Sequence, residues 1–538
     1  MNGEHKNTED LLRLAAEQFE AGDVHAAKAA CDQIVASEPT HPQALNFLAL
    51  IARGIKKWKK AEEIARFGCA KNPQKPQLAN TLGLIMLDQR RTEEAEAEFR
   101  RAHALNPDRP EYLSNLGVTL HAMGRWEDAQ EVFTKALILN ADFVPALAGR
   151  AKAATDMGFY DDAQADIELA QGLDPNNLEL LNSTARLALC QGDLDAAYTA
   201  FGTVVGLTPN VADARVNRGL IRMLQGRVAD GWEDYGMRRA RRWGRPSNRH
   251  GKLPSWGGED LAGKRILIWS ELGLGEAIMC ASLIHDLAQE AEQVIFECEP
   301  RLADLFAKSF PNIEVVPEET PASKKIQKSA PDVQAPIFEL IGYRGANAPA
   351  QESNSPYLLA NSSNVASLKS KYVAESGGLP LVGLSWGSPK AISARQKSIA
   401  IEYWKPVLQT PGVSFVNLQY GESRGDLEDI AAQCDAVFIN DQSIDTGGSL
   451  APMADQVAAL DLVITVSNTT AHISGAVGQE TWVLTPPLGL GSMWFWFVDR
   501  EDSPWYASVK LLRRQINTDE VFLKDVATRL RDWAAGRQ

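Results

Sequence analysis

The first half of the chain repeats itself. Prolines fall at Pro39, Pro73, Pro107, Pro175 and Pro209, in steps of 34 residues or a multiple of 34, and Ala141 fills the one vacant place. In the same register Gly or Ala recurs at Ala49, Gly83, Gly117, Ala151 and Gly219. Alanine recurs at Ala61, Ala95, Ala129, Ala163 and Ala197, and glycine at Gly22, Gly124, Gly158, Gly192 and Gly226. A chain with this period cannot close around one central core; each unit buries its apolar face on the next. The small residues sit where two helices cross closely, the glycines in the turn between them. The prolines follow the second helix, which they cannot continue. Six units run from about Thr8 to Val211, and a degenerate seventh ends near residue 245.

The unit resembles the tetratricopeptide repeat, a helix-turn-helix of this length. That resemblance implies an all-α superhelix over residues 1–245, whose concave side holds a peptide or protein. Asparagines recur on its first helices: Asn46, Asn80, Asn115, Asn182 and Asn217. An amide both donates and accepts, so a row of them could grip the backbone of an extended polypeptide whatever its side chains. The plainer alternative is a set of polar positions on a solvated face. The last unit ends in MRRARRWGRPSNRH, with six arginines from Arg238 to Arg249. They form either a basic patch toward a ligand or acidic partner, or a charged cap pairing with Glu233 and Asp234.

After a linker at 246–263 the period changes. RILIWS (265–270), QVIFECE (293–299) and IEVVP (313–317) read as strands separated by helical stretches. LVGLSWG, SFVNLQYG, AVFIND, LVITVS and TWVLTP continue the alternation, and a last helix spans about Asp519 to Trp533. Strands alternating with helices predict parallel α/β sheets, here two lobes at 264–370 and 378–538. EETPASKKIQKSAPD breaks the pattern and reads as a loop or insertion. The fold expected is a tetratricopeptide superhelix followed by a pair of Rossmann-like α/β lobes, with ligands bound between the carboxyl ends of their strands.

Charge and cysteine usage narrow the function. A net charge of -14 repels nucleic acid and anionic membrane, so an anionic ligand needs a local site. Six cysteines without a C-x-x-C pair fit reduced thiols in a cytoplasmic protein. No apolar run of about 18 residues suggests membrane insertion.

Two stretches point to that local site. In SELGLGEAIM, Gly273 and Gly275 let backbone approach a ligand, and a helix begins at about Glu276. A dinucleotide-binding loop is the rival reading, with Glu297 or Glu299 as ribose acid, but Ile278 stands where that motif needs a small residue. In VITVSNTTAHISGAVG, Thr469 and Thr470 fall at a helix N-terminus, with His472 a turn further in. Unpartnered N–H groups, the helix dipole and two hydroxyls would suit an anion. A simple cap by Ser467 or Asn468 is the alternative. Arg395 and Lys397 lie in a loop at the same edge, and an ammonium there suits a leaving phosphate. This half has no D-x-D motif and no ligand-spaced His/Cys cluster, so neither a metal nor a cofactor is expected. The aromatic runs MWFWF and PWY read as packing, with sugar or base stacking as the alternative.

WSELGLGEAIMCASL, VGLSWGSP, RQKSI, VNLQYGE, SNTTAHISGAVG and DREDSPWY occur in that order. They resemble the blocks of GT-B glycosyltransferases related to heptosyltransferases and to repeat-bearing O-GlcNAc transferases. Repeats ahead of such a domain are similar to bacterial proteins that glycosylate flagellin with nonulosonic acids. The resemblance implies a nucleotide-sugar donor, with Lys397, Thr469 and Thr470 at its phosphate and Gln419 near its base. It places Glu276 where heptosyltransferases carry an Asp proposed as catalytic base; His472 and His285, the histidines inside this half's motifs, are the other candidates. Asn468, placed with His472 at the donor, departs from the Asp usual in heptosyltransferases. The function implied is transfer of a sugar to Ser or Thr of a polypeptide, such as flagellin, held by the repeats. The alternatives are transfer to a non-protein saccharide, and a repeat scaffold with an inactive transferase-like half.

Overall fold

The computed structural model describes residues 8–240, 249–344, 355–388, 397–421, 425–445, 447–489, 492–516 and 518–537. Arg395 and the run Arg241–Arg245 lie outside them. The chain divides into two compact units, one ending at Leu187 and one beginning at Ala188.

Fourteen helices, from Thr8–Glu20 to Val228–Gly236, follow one another along the repeats. The period has a direct structural reading. Pro42, Pro76 and Pro110 open first helices, where their missing N–H costs nothing. Ala61, Ala95, Ala129 and Ala163 are wholly buried. At Gly83 an added Cβ would come 2.8 Å from the Phe99 ring, so only glycine admits that crossing. The turn glycines take left-handed φ, from 76° at Gly124 to 86° at Gly192. Where the register offers Lys56 and Arg90 instead, the backbone keeps that conformation, at φ of 59° and 63°.

The second unit contains two parallel sheets. The first has β1 (Arg265–Trp269), β2 (Gln293–Cys298), β3 (Glu314–Pro317) and β4 (Val333–Pro336) in the order β3-β2-β1-β4. The second has β5 (Leu381–Ser385), β6 (Ser414–Asn417), β7 (Phe438–Ile439), β8 (Leu462–Val466), β9 (Thr481–Thr485) and β10 (Val509–Arg513), ordered β10-β9-β8-β5-β6-β7. Every residue of β5, β8 and β9 is buried, as parallel strands covered on both faces require. In both sheets the order reverses beside the first strand, between β1 and β4 and between β5 and β8. Such a reversal opens a crevice at the carboxyl ends of the strands.

Several boundaries differ from the sequence reading. The helices Leu194–Leu207, Ala212–Leu224 and Val228–Gly236 belong to the same compact unit as the sheets. Trp232 stacks on Phe338 at 5.7 Å, and the Val498 N–H donates to the Leu224 carbonyl at 3.1 Å. The linker is partly sheet edge: Ser255 bridges Gln334, and Trp256 is buried. The segment read as a loop carries the helix Lys324–Ser329 and leads into β4. Residue 370 cuts the helix Ser362–Glu375, which belongs with the second sheet. Its Tyr372 hydroxyl donates to Asp441 at 2.8 Å and its Asn364 amide to Asp455 at 2.8 Å. No helix of the described residues is long and apolar enough to cross a membrane.

Candidate functional site

A cavity of about 140 Å³ opens at the carboxyl ends of the two sheets. The loop after β1 and the helix it enters, Leu274–Ala281, contribute Gly273, Gly275 and Glu276. The loop after β5 contributes Ser388 and Lys397, and the loop after β6 contributes Tyr420. From β8 and the helix Thr469–Ala476 come Ser467, Asn468, Thr469 and His472. Met493 and Phe495 complete the lining. Seven residues singled out from sequence therefore share one cavity: Gly273, Gly275, Glu276, Lys397, Asn468, Thr469 and His472.

Two charges of opposite sign face this space. Glu276 is the third residue of its helix, and its Oε2 accepts the Gly273 N–H at 3.0 Å, which closes a capping box. Burial raises its carboxyl above the ordinary range, against the pull of Lys397. Burial likewise lowers the Lys397 ammonium, with Glu276 opposing. Lys397 Nζ lies 3.6 Å from the Met493 sulfur, a weak acceptor. The pair thus combines a carboxyl shifted toward neutral pH with a poorly solvated cation, the combination that acid–base chemistry on an anionic ligand requires.

His472 stacks on Trp496 at 5.2 Å, and its Nδ1 lies 2.9 Å from the Tyr506 hydroxyl. Burial first, and Lys397 second, push its imidazole down to about 3, so it is neutral. A charged imidazolium on the ligand is therefore not what this residue offers. A Cβ at Gly275 would come within 2.5 Å of the ring, so the glycine makes room for the histidine as well as for a ligand.

The helix tip is more fully satisfied than the sequence suggests. Asn468 is the cap: its Oδ1 accepts the Thr470 N–H at 3.0 Å. Its amide donates to the Ser385 hydroxyl at 2.9 Å and the Gly387 carbonyl at 3.0 Å. Asn468 thus spends its side chain on joining β8 to the loop after β5. Tyr420 lines the cavity beside Thr469, and burial raises its hydroxyl above the ordinary range, with Thr469 opposing.

Two predicted residues lie behind the cavity instead of on it. Thr470 is fully buried. Gln419 is 1% exposed, and its Oε1 accepts the Trp386 and Gly387 N–H groups, both at 3.0 Å. Its amide donates to the Tyr420 carbonyl at 3.2 Å. Gln419 therefore shapes the loop after β5 rather than meeting a ligand. His285 is exposed and does not line the cavity. Tyr420 was missed by sequence reasoning, although it directly follows Gln419 at the carboxyl edge of β6. In the aromatic run, Trp494 and Trp496 are packing, while Phe495 reaches the cavity.

The candidate ribose acid has another task. Glu297 is 1% exposed and is held by Arg249 at 2.8 Å and His250 at 2.7 Å. Arg238 pairs with Glu271 at 3.2 Å and Glu339 at 2.7 Å. Neither arginine caps its helix through Glu233 or Asp234, which pair with Arg215 and Arg218.

In the first unit the asparagines do not make one open row. Asn46 Oδ1 accepts the Thr81 hydroxyl at 2.7 Å, and Asn80 Oδ1 accepts the Asn115 amide at 2.8 Å. Each bond joins a first helix to the next repeat. The Asn182 amide turns back to the Leu178 carbonyl at 2.8 Å, and Asn217 lies in the second unit. Asn46 lines a groove of about 550 Å³ formed by the first helices of three repeats, with Arg13, Gln43, Phe47 and Lys75. The groove mixes apolar and polar walls, as a peptide-binding surface does.

Comparison with known proteins agrees with the repeats. Tetratricopeptide repeat families match residues 74–139, and residues 12–76 and 183–235. Protein FlbA of Caulobacter vibrioides is 33% identical over 338 residues, covering 59% of this chain and 55% of its own length. That share of this chain exceeds what the repeats alone could supply, yet the chain spans only about half the length of this relative. Among solved structures, Pseudomonas aeruginosa pilF is 23% identical over 39% of this chain and 95% of its own, with a TM-score of 0.33. A tetratricopeptide repeat protein from Parabacteroides merdae is 21% identical over 43% of this chain and 93% of its own, with a TM-score of 0.36. The chain thus contains tetratricopeptide repeats, in an all-helical superhelix followed by a region of parallel sheets.

Proposed function

We propose that the chain is a protein O-glycosyltransferase of GT-B type. It takes a sugar from a nucleotide sugar and passes it to Ser or Thr of a polypeptide held by the repeats. The observation that carries this reading is the convergence of Glu276, Lys397, Thr469 and His472 on one cavity at the reversal points of two parallel sheets. Lys397 and the Thr469 hydroxyl and N–H receive the phosphate. Glu276 removes the proton from the acceptor hydroxyl as its oxygen bonds to the sugar carbon. The bond from that carbon to the phosphate oxygen breaks, and its electron pair leaves with the nucleotide. A flagellar acceptor and a nonulosonic acid are the specific forms that the family resemblance implies.

The test is thermal melting of the full chain with a panel of nucleoside mono- and diphosphates. A ligand at one hundred times its Kd stabilises the folded state by about 2.7 kcal/mol. At least one nucleotide should raise the melting temperature, and Lys397→Met should abolish the rise. A panel with no effect would defeat the proposal.

A further inference from the structure

The aromatic run MWFWF at 493–497 does more than fill space. Its single-turn helix Trp494–Trp496 is capped by Met493, whose carbonyl accepts the Trp496 backbone N–H at 3.1 Å. The side chains at the two ends of this turn reach two different polar groups of the cavity. The Met493 sulfur lies 3.6 Å from Lys397 Nζ. The Trp496 indole, 2% exposed and stacked on His472, donates its Nε1–H to the Ser467 hydroxyl at 2.8 Å. An indole nitrogen can only donate, so the direction of that bond is settled and Ser467 Oγ is the acceptor. The serine keeps its own proton, and among the described residues no acceptor takes it.

Ser467 is 4% exposed and lines the cavity, so the cavity is where that proton can find a partner. From sequence this serine was an alternative helix cap, but Asn468 holds that place. A buried donor is unfavourable until an acceptor meets it, and a ligand oxygen would do so. The cavity measures about 140 Å³, roughly the room of five waters. One tetrahedral phosphate group fills most of such a space, and the rest of a larger ligand lies outside it. We infer that Ser467 is a ligand-binding residue, whose hydroxyl donates to an oxygen of the same anionic group that Lys397 attracts. Trp496 is a positioning residue: it holds the serine oxygen from behind, so that the proton faces the cavity. The ligand class is a phosphate-bearing molecule met by an ammonium and a hydroxyl set on one turn of the chain. That this molecule is a nucleotide rests on the transferase reading; the donor at Ser467 does not.

The test begins with NMR of the full chain labelled with ¹⁵N at its tryptophan indoles, with Trp496→Phe identifying the Trp496 signal by its loss. Ser467→Ala should move that signal and speed exchange of its proton with solvent. A signal that stays in place would overturn the hydrogen bond and the inference with it. Binding is then read by calorimetric titration of inorganic phosphate, pyrophosphate and the nucleotides of the melting panel. Ser467→Ala should weaken whichever of these binds the wild type by about tenfold, the worth of one hydrogen bond, with circular dichroism unchanged. Trp496→Phe should weaken binding less, and should add nothing in the Ser467→Ala background. A further loss in that background would overturn the positioning role of Trp496. Wild-type affinity in Ser467→Ala, beside a loss in Lys397→Met, would overturn the role of Ser467 and leave the transferase reading standing. Phosphate or pyrophosphate binding that Ser467→Ala weakens, with no nucleotide bound, would support Ser467 and defeat the transferase reading. No binding of any of these ions or nucleotides would overturn both.

Discussion

At the residue scale, Glu276 and His472 differ in what their surroundings do to a proton. Burial raises the carboxyl of Glu276, which makes its carboxylate a stronger base than an ordinary one. The same burial holds His472 neutral, so it suits accepting a hydrogen bond better than keeping a proton. Glu276→Gln should therefore abolish transfer yet keep the nucleotide-induced rise in melting temperature, measured on the same preparation. Unchanged turnover would remove Glu276 from the chemistry. The histidines also set a pH dependence of stability. His472 is pushed down to about 3, and His121, buried beside Asp156 in the first unit, to about 4. Between those values and the ordinary 6.5, the unfolded imidazole binds a proton that the folded one does not. Stability is then lost as the pH falls below about 6.5, at up to about 1.4 kcal/mol per pH unit for each group. Denaturant titrations from pH 7 to pH 4.5 should show the loss, and His472→Gln and His121→Gln should each flatten it.

At the element scale, the repeats show which features of the chain can be read before any coordinates. The turn position is left-handed in every described repeat, and five of the seven residues there are glycine. Lys56 and Arg90 hold the same conformation against its cost of about 1–2 kcal/mol for a residue with a Cβ. Lys56→Gly should raise stability by about 0.5–1 kcal/mol after the entropy of the freer unfolded glycine is deducted. Gly124→Ala should lower stability by a similar amount. Its new methyl would meet nothing within 4 Å, so the loss reads backbone conformation alone. Calorimetry of the full chain checks both, and a destabilised Lys56→Gly would defeat the argument. The period was legible because each unit solves the same packing problem with the same small residues. The strands from β5 to β9 were legible because burial on both faces demands apolar runs. β4 was not, because VQAP uses Gln334 to accept the Trp269 indole N–H at 2.6 Å instead of presenting an apolar face. Gln419 and Asn468 looked like ligand groups for a related reason. Both are polar at a strand end, and only three-dimensional contacts reveal that neighbouring loops consume them.

At the scale of the whole molecule, the unit boundary and the repeat boundary do not coincide, which decides how the chain can be cut. The repeats end near residue 240, but the compact unit holding the sheets begins at Ala188. Within that unit the Arg238 guanidinium lies over the Phe338 ring at 4.6 Å and pairs with Glu271 and Glu339. A deletion of residues 1–245 strips Trp232 from Phe338 and removes this buried cation. Breaking a buried ion pair from one side costs on the order of 3–5 kcal/mol. That truncation should give insoluble protein, or a melting temperature well below that of the intact chain. A chain that begins at Asn177 keeps the helix Leu178–Gln191 and all three helices that follow. It should fold, and it should keep the nucleotide-induced rise in melting temperature, because every cavity residue lies beyond Ala188. The shorter chain also separates the acceptors. It lacks the groove around Asn46 and Phe47. If the substrate is a polypeptide held there, modification of the protein acceptor is lost while slow hydrolysis of the donor by water persists. Equal transfer by the intact and shortened chains would instead point to a saccharide acceptor and leave the repeats a task in assembly.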